Sequence, residues 1–179
     1  MFNSHTPDVK IIQPKVISEE RGYSFECFRE DIFNQGCVQS NFIQENHIRS
    51  FRGVLRGLHY QAKMTQGKLV RVTYGSVFDV DLRKGSSSFG KWVRIHLSDE
   101  NHKELWIPEG FAQGFYVTSE IADFTYKCTN YYAPEYEYSI LWNDPDLRIS
   151  WLLATGEHPK ISDKDRNAGY FRDAKYFKC

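Results

Sequence analysis

The sequence has no excess of charge of either sign: 23 Lys and Arg balance 23 Asp and Glu. Without a basic tail or stripe to neutralise phosphates, nucleic acid is not an expected partner. A small doubly charged ligand needs only a few local cations and remains compatible. No apolar run is long enough to cross a bilayer, and no charged-then-apolar leader opens the sequence. No membrane partner is therefore expected, and the cytoplasm is the expected compartment. Cysteine is sparse, at Cys27, Cys37, Cys128 and Cys179, with no CxxC pair and no zinc-finger spacing. Reduced thiols are expected rather than a disulfide framework or a zinc site. Repeats, low-complexity stretches and Pro/Gly/Ser linkers are missing too, so residues 1–179 read as one domain. Helical periodicity is almost absent. The exceptions are one turn over Asp31 to Gln35 and a short helical tail over residues 162–179, where Ser162 can cap and Asp163 sits in the first turn.

What is abundant is aromatic surface, 16% of the chain, within an ordinary 41% hydrophobic and 26% charged composition. So many rings suit a β-rich core or a site that stacks a planar ligand. The middle of the chain reads as short strands between turn signals. The expected strands are 38–45, 53–61, 68–74, 76–83, 91–97, 104–107, 111–117, 123–132 and 138–142. Leu69-Val70-Arg71-Val72-Thr73-Tyr74 alternates as a half-buried strand does. Evenly spaced strands of this kind predict a mainly β fold, a sandwich or jelly-roll barrel with short peripheral helices. Such a barrel offers a pocket at its mouth, so polar residues at inward positions are the ones to question.

The richest stretch runs from Arg52 to Gln61. If no bulge intervenes, alternation places Arg52, Val54, Arg56 and Leu58 on one face, and Gly53, Leu55, Gly57, His59 and Gln61 on the other. The two glycines beside His59 leave room for a ligand to approach. Taken alone, His59 also reads as a hydrogen-bonded barrel histidine, and Lys68 as a solvated strand-edge charge. A second stretch, Pro108 to Phe115, is a Pro-x-Gly turn followed by an aromatic strand. In a third, Tyr126 and Tyr132 share one strand face with Tyr131 opposite, which fits a core aromatic ladder as well as a site. Ser162 to Arg166 alone reads as an exposed charged turn.

Together these stretches resemble the dTDP-4-dehydrorhamnose 3,5-epimerase family, from about Pro14 to Arg166. The resemblance is carried by Glu20-Arg21-Gly22, Phe25-Glu26, Gln44-Glu45-Asn46-His47, Arg56-Gly57-Leu58-His59-Tyr60-Gln61 and Gln66-Gly67-Lys68-Leu69-Val70. It continues through Val77-Phe78-Asp79-Val80, Leu105 to Ala112, Tyr126-Lys127 and Trp142-Asn143-Asp144-Pro145. It implies a cupin-type jelly roll and a homodimer in which N-terminal strands extend the partner's sheet. It implies inversion at carbons 3 and 5 of a nucleotide-diphospho-sugar carrying a ketone at carbon 4, with neither metal nor cofactor. By the same resemblance His59 is the general base, oriented by Asp165; Tyr126 is the general acid; and Lys68 sits near the carbonyl oxygen. Arg21, Glu26, Gln44, Asn46, Arg56, Glu137 and Lys164 hold sugar and diphosphate, Tyr132 stacks on the base, and Asp79 lies near His59.

These residue types suit the chemistry. The ketone acidifies the neighbouring C–H bonds and stabilises the carbanion, so no electron-sink cofactor is required. A neutral imidazole can take such a proton near neutral pH, and a carboxylate behind it fixes the tautomer. A held cation stabilises the enolate oxygen, and a phenol across the ring can return the proton.

The sequence departs from the family pattern twice. Gln113 stands where the family writes the His of Gly-Phe-Ala-His-Gly-Phe. It keeps a donor but can hold no charge or proton, so altered binding or selectivity with intact base chemistry is expected. The strand Val77 to Arg83 is two residues shorter, an even number that preserves which side chains face inward. Other readings are an epimerase of a different 4-keto sugar nucleotide such as a GDP-linked heptose, a C3-only or C5-only enzyme, and a non-catalytic sugar-nucleotide binding protein. A metal-dependent cupin would need several His where only His59 and Gln113 stand.

Overall fold

The computed structural model describes residues 2–4, 9–83, 90–153 and 156–175. Cys179 and the end of the expected tail, 176–179, lie outside the described residues. The strands are β1 (Phe2–Ser4), β2 (Lys10–Ile12), β3 (Ile17–Glu19), β4 (Gly22–Ser24), β5 (Gln44–Phe51), β6 (Leu55–Gln61), β7 (Lys68–Tyr74) and β8 (Ser76–Arg83). After them come β9 (Trp92–Ser98), β10 (Glu104–Ile107), β11 (Phe111–Val117), β12 (Ile121–Cys128) and β13 (Glu137–Ser139). Two short helices, α1 (Glu30–Gly36) and α2 (Asp163–Arg166), lie at the periphery. One sheet has the order β1-β2-β10-β7-β12-β5, the second β13-β6-β11-β8-β9, and β3-β4 stands apart as a hairpin. Neighbouring named strands pair antiparallel throughout, and the two large sheets form a cupin-type jelly roll.

Period-two alternation explains the layering. Val70 and Val72 of β7, Val77 of β8, Leu97 of β9, Phe115 and Val117 of β11 and Phe124 of β12 meet between the sheets. Phe115 and Phe124 stack there at 4.4 Å between centroids. The opposite parity also finds cover. Leu55, Leu58, Tyr60, Phe78, Ala112 and Tyr116 pack beneath the C-terminal segment on Leu147, Trp151 and Phe171. Leu69 and Trp106 pack with Phe33 of α1 on the outside of the six-stranded sheet. Apolar residues at both parities are thus what a strand covered on both faces requires, and β11 is buried along its whole length.

Four expected elements differ. The strand expected over 38–45 begins only at Gln44. Before it, Phe42 is drawn into a ring cluster with Phe28, Phe33 and Trp106, and the Ser40 N–H donates to Asn34 Oδ1 at 3.1 Å instead of to a ladder. The strand expected over 123–132 stops at Cys128, because the Asn130 side chain accepts the Tyr131 N–H at 2.9 Å and turns the chain. The aromatic ladder of Tyr126, Tyr131 and Tyr132 therefore does not form. The strand expected over 138–142 spans only Glu137–Ser139. The helical tail is a single turn, α2, capped as expected by Ser162 Oγ accepting the Asp165 N–H at 3.1 Å. Beyond it the chain is pinned at two points and makes one further 3-10 turn over Phe171–Asp173. Gly169 O accepts from Leu141 N, and the Phe171 N–H donates to the buried Asp144 carboxylate at 2.8 Å.

Candidate active site

The strand β6 decides what faces the barrel interior. Gln113 of β11 pairs with His59, but Phe115 pairs with Arg56, so three steps on β6 span two on β11. One extra residue sits in β6 at Gly57-Leu58, a β-bulge. The condition for strict alternation along this strand is therefore not met. Leu55, Leu58 and Tyr60 turn to the outer cluster, while Arg56, expected opposite His59, bonds to Ser50 Oγ at 3.0 Å and acts on Tyr126 inside the barrel. Gly57 has φ +114°, and a Cβ there would lie 2.6 Å from Gly114 Cα and 2.7 Å from Gln113 O. Only glycine fits. The room it provides is taken by the facing strand rather than by a ligand.

The bulge also serves Asp165. This residue is 2% exposed on α2, and its Oδ1 lies 2.5 Å from His59 Nε2. Burial pushes its carboxyl upward. The His59 hydrogen bond and charge, the Ser162 hydroxyl and the Gly57 N–H outweigh burial and hold it below the usual carboxylate range. The bond to Nε2 leaves Nδ1 as the imidazole lone pair.

Facing this pair is the six-stranded sheet. The Lys68 Nζ lies 5.7 Å from the Tyr126 ring centroid. Burial first, then the neighbouring Cys128 and Glu137, push the Tyr126 phenol up to about 12, against the opposing pull of Arg56. The Tyr126 hydroxyl makes no hydrogen bond among the described residues. His59, Gln61, Gln66, Lys68, Phe111, Tyr126, Tyr132 and Glu137 line one narrow pocket. At its rim Glu137 accepts from the Tyr132 hydroxyl at 2.7 Å and pairs with Lys164. Burial raises the Glu137 carboxyl, but the bonds from Lys164 and Tyr132 and the charges of Lys164 and His59 bring it below its ordinary value. Gln44 Oε1 accepts the Tyr132 N–H at 2.9 Å, and Gln44 Nε2 donates to Asn46 Oδ1 at 3.3 Å. Gln113 Nε2 donates to Asp79, which is fully buried, at 3.1 and 3.4 Å from its two oxygens.

Twelve of the fourteen expected site residues therefore gather around one barrel mouth. Arg21 and Glu26 do not. Arg21 is exposed at the β3–β4 turn and pairs with Glu19 at 2.5 Å. Glu26 lines another cavity, of about 550 Å³, on the outside of the six-stranded sheet with Arg71, Glu104 and Lys127; it shares only Tyr126 with the lining of the His59 pocket. That cavity is larger than the His59 pocket, but it holds no imidazole–carboxylate pair facing an acid. Sequence reasoning assigned no site role to Gln61. Its amide donates to Met64 O at 2.6 Å and Tyr131 O at 3.2 Å and accepts from Ala133 N at 2.9 Å, fixing the loop that carries Tyr132. A polar residue at an inward strand position was the signal. Among the described residues no three His, Cys, Asp or Glu are grouped to hold a metal ion, and no helix is long and apolar enough to cross a membrane.

Known proteins share this sequence and fold. The sequence model of the dTDP-4-dehydrorhamnose 3,5-epimerase family matches residues 3–173. The dTDP-4-dehydrorhamnose 3,5-epimerase of Pseudomonas aeruginosa is 52% identical over 174 residues, covering 96% of this chain and 95% of the relative. That of Shigella flexneri is 48% identical over 181 residues, covering 99% and 98%. Among solved structures, the dTDP-6-deoxy-D-glucose-3,5-epimerase of Legionella pneumophila, in complex with dTDP-4-keto-L-rhamnose, superposes with TM-score 0.92 at 48% identity. The match covers 97% of this chain and 93% of that one. On sequence and fold alike, the chain belongs to the dTDP-4-dehydrorhamnose 3,5-epimerase family.

Proposed function

We propose that the protein inverts carbons 3 and 5 of dTDP-4-dehydro-6-deoxy-D-glucose by removing and returning protons. The observation that carries this reading is the His59–Asp165 pair, 2.5 Å apart, on one wall of a pocket whose other wall carries Lys68 and Tyr126. His59 Nδ1 takes the proton from the carbon beside the ketone, and the C–H electrons pass to the carbonyl oxygen as an enolate. The Lys68 ammonium stabilises that oxyanion, while Asp165 stabilises the imidazolium. The Tyr126 hydroxyl gives a proton to the opposite ring face. The resulting phenolate regains a proton from solvent, and the imidazolium releases the one it took. The high Tyr126 pKa keeps the phenol protonated at neutral pH, ready to donate.

Arg56, Gln44, Asn46, Glu137 and Lys164 are placed to hold sugar and diphosphate, and Tyr132, about half exposed at the rim, offers a stacking face for the base. Arg21 and Glu26 are not among the residues that line the His59 pocket in one chain. A homodimer that exchanges the N-terminal strands would bring them to the partner's mouth, and this is the assembly we infer, working in the cytoplasm. The test is solvent deuterium incorporation into dTDP-4-dehydro-6-deoxy-D-glucose, read by mass spectrometry and NMR. Label at both carbons with the L-rhamno product is the expected result. Label at one carbon would make it a monoepimerase, and none at either would make it a binding protein.

A further inference from the structure

The loop that carries Tyr132 is held by a side chain to which the scheme above gives no part. Tyr132 lies between β12 and β13 with its ring about half exposed. An exposed ring on a loose loop would lose backbone freedom on meeting a ligand, and affinity would fall by that loss. Here the backbone is fixed beforehand. The buried Gln61 donates from Nε2 to Tyr131 O at 3.2 Å and accepts the Ala133 N–H at Oε1 at 2.9 Å. One amide therefore grips both the residue before Tyr132 and the residue after it. Its other Nε2 hydrogen goes to Met64 O at 2.6 Å, and Met64 is held in the left-handed region, at φ +49°. Tyr132 itself is tied through its N–H to Gln44 Oε1 at 2.9 Å and through its hydroxyl to Glu137 Oε2 at 2.7 Å. The entry to the loop has a clamp of its own, since Thr129 Oγ1 and Thr65 Oγ1 donate to the two oxygens of Glu109 at 3.0 and 2.8 Å.

Resting on the reading that Tyr132 stacks on the nucleobase, we propose that Gln61 is a positioning residue that fixes where the base lies relative to His59. Beyond the bulge β6 runs regularly against β13, with His59 opposite Ser139 and Gln61 opposite Glu137. His59 and Gln61 therefore share a face, about 6–7 Å apart along one strand. The strand that carries the base of the reaction thus also sets the stacking platform. A nucleotide seated on Tyr132 is held at a constant distance from the imidazole, and its sugar carbon is delivered to His59 Nδ1 rather than left to find it. The three partners of Gln61 are two carbonyls and one N–H, which match an amide's two donors and one acceptor. Both donor hydrogens are used within the protein, so Gln61 acts on the ligand through Tyr132 and not by touching it. An ionised glutamate would set an oxygen against two carbonyls, and a methionine would leave all three backbone groups unpaired.

The test reads binding to the full chain by calorimetry, with dTDP and with inorganic pyrophosphate, which has no base. In Gln61→Met, which keeps the length of the side chain and loses all three bonds, dTDP binds about tenfold more weakly. Pyrophosphate stays within about twofold of wild type, because the groups that meet it are untouched. Tyr132→Ala weakens dTDP by about tenfold or more. Adding Gln61→Met to Tyr132→Ala weakens it by less than about a further twofold, since no platform remains to be placed. Equal weakening of both ligands in Gln61→Met overturns the proposal, as does an undiminished Gln61→Met effect in the Tyr132→Ala background. Either is what general damage to the fold produces. Should Gln61→Met fail to fold, the wild-type protein decides the matter by 15N relaxation. Without ligand, the Tyr132 and Ala133 amides are as rigid as those of β6, with order parameters of about 0.85, and amides measurably more mobile than β6 overturn the proposal. A Tyr132→Ala protein that binds dTDP as the wild type does sinks the stacking reading and this proposal together. A normal Tyr132→Ala loss with no loss in Gln61→Met sinks this proposal alone.

Discussion

The two walls of the barrel mouth are built on different principles. On the five-stranded sheet, His59 is wired: its Nε2 meets Asp165 at 2.5 Å, and Asp165 is tied in turn to the Ser162 cap and the Gly57 N–H. On the six-stranded sheet, Tyr126 is packed rather than wired, ringed by Phe124 and Lys68, with its hydroxyl unbonded among the described residues. A base must hold one tautomer and one angle, so fixed partners help it. An acid that gives its proton to a substrate gains nothing from a rival acceptor inside the protein. In the mechanism proposed above, a two-sheet barrel presents both groups to the same sugar from opposite sides, as inversion requires.

The sharpest way to break this contrast is His59→Ala, which should lose exchange at both carbons by about 10²–10⁴-fold or more in a deuterium assay. Asp165→Asn comes next. It keeps the shape but removes the charge that fixes the imidazole, and kcat should fall by about 10²–10³-fold with KM little changed. Tyr126→Phe should slow inversion by about 10²-fold while slowing wash-in of deuterium at the same carbon much less, since the base is untouched. Equal slowing of both would show that the phenol wall is not separate from the imidazole wall. Behind the walls, Phe124→Ala should cost about 3–5 kcal/mol in a denaturation experiment by emptying the stack on Phe115.

The smallest effects concern the wiring alone. Ser162→Ala should remove about 1 kcal/mol by uncapping α2, and kcat should fall with it only if the cap positions Asp165. The pH dependence has a definite sign. Because Asp165 titrates below its unfolded value, its contribution to stability is complete above the ordinary carboxylate range and is lost as pH falls through its lowered value. Tyr126 behaves inversely. Its folded pKa is raised to about 12, so its contribution is whole below the ordinary value of 10.0 and fades between there and about 12. In Tyr126→Phe that alkaline component of the melting curve should vanish.

Much of this was legible from spacing. The strands β7, β8, β10 and β11 fall where alternation puts them, because neighbouring turns fix their ends and both faces are covered by apolar layers. Ser162 announced its cap. What spacing could not supply was anything that depends on a second element. The start of β5 was hidden because Phe42 answers to a ring cluster drawn from three other segments, and the end of β12 because a side-chain turn at Asn130 overrides β propensity. Gln61 looked like one more polar strand residue, since its partners, Met64, Tyr131 and Ala133, meet only in the fold. Nothing in the single chain brings Arg21 or Glu26 to the mouth, so their expected roles found no support in its fold.

The extra residue in β6 acts as a phase shifter. Arg56 and His59 are three residues apart, so a regular strand would turn them to opposite faces; the extra residue between them puts both on one face. Were the bulge straightened with no residue removed, the imidazole and the guanidinium would fall out of step, although the sequence would be unchanged. In this protein the spacing between two side chains along one strand decides whether they share a face as firmly as their identity decides what they can do there.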